Sequence, residues 1–112
     1  MPVIVIANPK GGSLKGMKLD DVFGDLIRDA SGKATMWVRG KSEKMEVVFG
    51  PKYHAAVVWF PAGPRQDFIC FEPMAGITDS MNLAQKGLYK DLQYNPPGQS
   101  WQESFWIKPS GF

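Results

Sequence analysis

A chain of 112 residues is expected to form one domain, long enough to bury about two-thirds of its unfolded surface and to own a hydrophobic core. An apolar fraction of 44% with 12% aromatic residues excludes a disordered polypeptide. Thirteen basic against eleven acidic residues give a net charge of +2, with the lysines scattered rather than in a run or stripe, so no nucleic-acid partner is indicated.

Taken in chain order, short β-branched and aromatic runs recur between Gly, Pro, Ser and Asn clusters, the spacing of an antiparallel all-β domain of the β-sandwich class. Strands are predicted near residues 3–7, 25–29, 34–39, 44–49, 55–60, 67–72 and 101–107. Residues 3–7 are apolar, but they follow Met1-Pro2 without a basic region and are too few for a signal-peptide core or a membrane span. Lys10-Gly11-Gly12-Ser13 hints at phosphate binding, yet the P-loop spacing fails because Met17 stands where its lysine belongs. Over 20–29, Phe23, Leu26 and Ile27 share a helix face. Gly24 and a glycine-containing connection, Ala30-Ser31-Gly32-Lys33, instead favour a hairpin between 25–29 and 34–39.

In 55–60, Ala56, Val58 and Phe60 alternate with Ala55, Val57 and Trp59, so both faces are apolar and the strand is expected to be buried on both sides. His54 alternates with Ala56 and Val58 and fits a structurally satisfied or rim histidine better than a catalytic acid. Residues 75–92 mix glycine with polar residues and are expected to form a functional loop with a helical turn near 83–86. The lone Cys70 leaves no disulfide framework and no thiolate metal cluster, and a reducing, cytoplasmic setting without a membrane partner follows as the expectation.

The most informative stretch is Phe68-Ile69-Cys70-Phe71-Glu72-Pro73, four apolar residues running into a carboxylate at a strand end. Partial burial there would penalise the charged form of Glu72 and move it toward proton transfer near neutrality. The alternative is a rim carboxylate paired with a lysine. Trp37, Trp59, Trp101 and Trp106 could each stack on a sugar face. Trp59 and Trp106 lie inside apolar strands and are expected in the core, whereas Trp101, between polar neighbours, is the exposed candidate. Nothing in the sequence suggests a cofactor or a metal site.

The segment FICFEPMAGITDSMN at 68–82, with LDDVFGDLIRD at 19–29, GPKYHAAVVWFPAG at 50–63 and LQYNPPGQSWQESFWIKPSGF at 92–112, resembles the C-terminal part of the aldose 1-epimerase, or galactose mutarotase-like, family. The resemblance covers about residues 14 to 112 and leaves 1–13 poorly matched. It implies the last part of a large antiparallel supersandwich and a protein that acts on or binds hexose sugars. It further implies Glu72 as the catalytic base and Asp20, of Asp20-Asp21-Val22-Phe23, as a ligand of sugar hydroxyls, with Asp21 an adjacent ambiguity. The family's catalytic and binding histidines and its sugar-binding arginine lie in an N-terminal portion without counterpart here. An enzyme would then need its acid from a complementing chain; the alternative is a non-catalytic carbohydrate-binding or structural module. A partial sandwich also exposes a sheet face and open strand edges, which predicts a homo-oligomer.

Overall fold

The computed structural model of the chain describes residues 3–4, 18–61 and 68–112. Seven strands and one short helix follow in order: β1 (Val3–Ile4), β2 (Leu19–Phe23), β3 (Ala34–Arg39), β4 (Lys44–Phe49), β5 (Ala55–Phe60), β6 (Cys70–Met74), α1 (Ser80–Gln85) and β7 (Phe105–Ser110). They form a four-stranded sheet ordered β1-β3-β4-β7 and a three-stranded sheet ordered β2-β5-β6. All pairings are antiparallel except β1 with β3. The chain is therefore all-β, as its run spacing predicts, and β3, β4 and β5 fall on the predicted ranges. The phosphate-like segment at 10–17 and the predicted strand residues 5–7 and 67 lie outside the described residues.

The core sits between the sheets because alternate residues of each strand point the same way. Ala34 and Met36 of β3 and Val47 and Phe49 of β4 meet Ala56 and Val58 of β5, and Leu26 closes one side. The β3–β4 hairpin turns over residues 40–43, where the Gly40 N–H donates to the Glu43 carbonyl at 2.8 Å. The last strand is anchored by a polar bracket at its start. The Glu103 carboxylate accepts from the backbone N–H groups of Lys52 (2.7 Å) and Ser104 (2.8 Å), while Gly50 N–H donates to Ser104 O at 3.0 Å. Burial works against the charge on Glu103, but these donors hold its carboxyl below the ordinary 4.5. A side chain at Gly50 would fall on the Glu103 carboxylate and within 2.7 Å of Ser104 O, so the position requires glycine.

Several boundaries differ from expectation. Residues 25–29 are not a strand: only Arg28 bridges Ala34, and the strand of this region is β2, one step earlier. The reason lies in the turn that follows. Asp29 Oδ1 accepts from the Ser31 hydroxyl (2.7 Å), Ser31 N–H (2.9 Å) and Lys33 N–H (3.0 Å), closing a tight loop. Arg28 donates to the carbonyls of Gly32 and Tyr53, tying that loop to the segment before β5 rather than extending a ladder. Residues 101–104 are likewise spent on the Glu103 bracket, so the predicted strand at 101–107 becomes β7 at 105–110, and the predicted turn near 83–86 is α1 at 80–85. Among the described residues, no helix is long and apolar enough to cross a membrane.

Val58 is fully enclosed. Val58→Ala removes two buried carbons and leaves a cavity, and is expected to cost about 2 to 3 kcal/mol, read as a lower urea midpoint at unchanged m-value. The Ser31 hydroxyl bond holds the Asp29 carboxyl below its ordinary 3.8; burial opposes it less strongly, and the loop amides of Lys33 and Ser31 add to the lowering. A carboxylate with a lowered folded pKa stabilises fully above its unfolded value and loses that contribution as pH falls through the folded value. The stability deficit of Asp29→Ala against the wild type should thus be full at neutral pH and vanish on acidification below 3.8, which chemical denaturation across pH measures.

Candidate functional site

The outer face of the three-stranded sheet is concave and carries the candidate site. Its geometry follows from register. Val22 pairs with Val57 and Val57 with Glu72, while Asp20 pairs with Trp59, and directly paired residues share a sheet face. Asp20 and Val22 from β2, Val57 and Trp59 from β5, and Glu72 and Met74 from β6 therefore point to the same side. With Thr78, from the turn before α1, they line a cleft of about 710 Å³. That volume falls within the range of roughly 300 to 1,000 Å³ typical of small-molecule sites. β2 and β6 flank β5, so the backbones bearing the two carboxylates stand roughly 10 Å apart, too far for direct contact and wide enough to admit a small polar molecule.

Neither Glu72 nor Asp20 uses its carboxylate within the described residues: no hydrogen bond or ion pair engages either, and the one ion pair there joins Lys44 to Glu46 at 2.7 Å. Among the described residues, no cationic side chain lines the cleft. Both carboxylates are thus free acceptors facing one hollow. The floor between them is apolar and aromatic. The Trp59 indole is 39% exposed and meets Phe68 edge to face, with ring centroids 5.2 Å apart.

The predicted site residues divide. Glu72 and Asp20 come together in the cleft; Asp21 and Trp101 do not join them. Asp21 pairs with Val58 and so lies on the opposite face of β2, where its carboxylate accepts the Asp20 N–H at 3.3 Å. Trp101 packs edge to face on Tyr53, with centroids 6.0 Å apart, and Tyr53 in turn packs on Phe49, so this indole belongs to an aromatic ladder leading into the core.

Burial of Glu72 is also corrected. β6 is a sheet edge, so Phe68 and Glu72 are exposed, and Ile69, Cys70 and Phe71 are half-buried. Trp59 and Trp106, expected in the core, both lie partly exposed on outer sheet faces, Trp59 in the cleft and Trp106 beneath the Lys33 ammonium at 4.4 Å. Strand 55–60 is closed on its inner face and open toward the cleft at Trp59. Of the other lining residues, Trp59 was expected in the core and Thr78 falls within the loop expected to be functional, while Val22, Val57 and Met74 were missed.

His54 stays outside the cleft, its backbone N–H donating to Met74 O at 3.0 Å as β5 begins. Among the described residues no group of three or more His, Cys, Asp and Glu side chains is placed to hold a metal ion. Comparison with protein-family models, with curated proteins and with solved structures returns no match.

Carboxylates that make no bond within the described residues are expected to add little to the stability of the native state. Glu72→Gln and Asp20→Asn are expected to leave the unfolding free energy within about 0.5 kcal/mol of the wild type, measured by urea titration, in contrast to substitutions on the inner face of the same strands.

Proposed function

We propose that the cleft binds a hexose and that the protein is an aldose 1-epimerase-like isomerase, with Glu72 as general base and Asp20 as a ligand of sugar hydroxyls. The observation that carries this reading is the convergence of two unpaired carboxylates on one hollow floored by an exposed indole. A pyranose presents an apolar C–H face and a rim of hydroxyl donors. An indole supplies a platform for the first and carboxylates supply acceptors for the second. A cleft with two anionic groups, and no cation among the described residues that line it, disfavours phosphorylated or carboxylated ligands and suits a neutral polyol. The resemblance of residues 14 to 112 to the galactose mutarotase-like supersandwich points the same way, and the site pair Asp20 and Glu72 is the pair that resemblance selects.

Mutarotation opens and recloses a hemiacetal. Glu72 takes the anomeric hydroxyl proton, the bond from the ring oxygen to the anomeric carbon breaks, and a second group must protonate the ring oxygen. No histidine lines the cleft, so this acid comes from a complementing chain. The same observation favours a second reading, a carbohydrate-binding module that holds the sugar without turning it over.

A titration of the labelled chain with galactose and glucose is expected to shift backbone resonances at Asp20, Trp59 and Glu72, and the shifts should disappear in Asp20→Asn. Resonances that stay still at every sugar concentration would remove the sugar site altogether. Polarimetry then separates the two readings. A rate above buffer that falls by about 10²- to 10⁴-fold in Glu72→Gln marks the isomerase. Binding without any such rate marks the module.

A further inference from the structure

The free edge of β7 is built to pair with itself. In an antiparallel ladder, directly opposed residues alternate between pairs that exchange both backbone hydrogen bonds and pairs that exchange none. Gly50 bonds Ser104 across the start of the β4–β7 ladder, so Trp106, Lys108 and Ser110 turn their backbone groups toward β4. The Gly40–Glu43 bond sets the complementary alternation on the other side of β4, where Met45 and Val47 serve β3. Phe105, Ile107 and Pro109 consequently aim their backbone groups away from the sheet, at an edge that no described strand covers. Pro109 has no N–H to offer there, which is why a proline is tolerated within this strand. Phe105 and Ile107 each present a full donor and acceptor, and their side chains are 50% and 59% exposed.

We propose that a second copy of this chain docks on this edge, β7 against β7, antiparallel about a twofold axis through Trp106. This register opposes Phe105 to Ile107 of the other copy and Ile107 to Phe105. Both complete backbone units are thereby used twice, and the proline lies outside the central bonds. Shifting the axis to Ile107 would oppose Phe105 to Pro109 and forfeit a donor in each copy. In the chosen register Lys108 stands opposite Ser104, so no like charges face each other across the seam, and the two half-exposed Trp106 rings meet as a cross-strand aromatic pair on the outer face. The apolar Phe105 and Ile107 side chains meet on the inner face, and two four-stranded sheets become one of eight. An isologous contact of this kind is closed and stops at two copies. It lies on the sheet opposite the cleft and leaves the cleft open.

Light scattering on the 112-residue chain over a wide concentration range is expected to reach about twice 12.5 kDa. Hydrogen exchange should find the Phe105 and Ile107 amides protected although both face away from β4. In a Cys70→Ser background, Trp106→Cys sits on the axis at a pair without hydrogen bonds, where backbone separation suits a disulfide, and should cross-link under mild oxidation. Lys108→Cys, opposite Ser104, should not. A monomer at every concentration, or rapid exchange at both amides, would overturn the dimer. Cross-linking through Lys108→Cys in place of Trp106→Cys would overturn the register.

Discussion

The site depends on one constraint, the register of β5 between β2 and β6. β5 is the central strand of its sheet and works on both faces: Ala56, Val58 and Phe60 enter the core, while Val57 and Trp59 floor the cleft. Side chains alternate with a period of two, so a slip of one residue between β5 and β6 would send Glu72 to the core side, whereas on β2 it would only exchange Asp20 for Asp21, which already lies on that side and is exposed. Burying an unpaired carboxylate costs several kcal/mol. The enclosed inner residues of β5 thus do more than stabilise the sandwich. They help to hold Glu72 on the cleft side.

The two sheets resolve their edges differently. In the four-stranded sheet the inward side of β7, Phe105 and Ile107, remains exposed. The bracket of Glu103, Lys52 and Gly50 fixes where β7 begins and therefore which backbone groups turn outward. A polar contact at one end of the ladder sets the hydrogen-bonding phase of the free edge at the other. Pro109 then shortens the part of that edge that can accept a new strand, a common device against indiscriminate pairing. What remains is a short, well-defined segment rather than a long adhesive one.

Much of this fold was legible in the sequence where side-chain patterning and backbone chemistry agree. β3, β4 and β5 are apolar runs bounded by turn residues, and their predicted ranges match the structure. β2 was hidden because Asp20-Asp21 looks like a turn, whereas the apolar Leu26 and Ile27 drew the prediction downstream. Leu26 does reach the core, but from an irregular segment that Arg28 and Asp29 pin through side chains to carbonyl and amide groups. Such side-chain to backbone bonds leave no periodic trace. The shifted start of β7 has the same origin, since Glu103 in sequence is only one more polar residue. At the site, a strand-end carboxylate was recognisable as Glu72, but its exposure was not, because edge or interior position depends on pairing partners far away in the chain.

The electrostatics of the cleft limit what its chemistry can be. Two carboxylates on strands roughly 10 Å apart, both unpaired within the described residues, face the cleft together with the Thr78 hydroxyl and repel only weakly across solvent. Such carboxylates can orient hydroxyl groups and exchange a proton with them. A ligand rich in hydroxyl donors satisfies both carboxylates and leaves each negative charge hydrogen-bonded rather than neutralised.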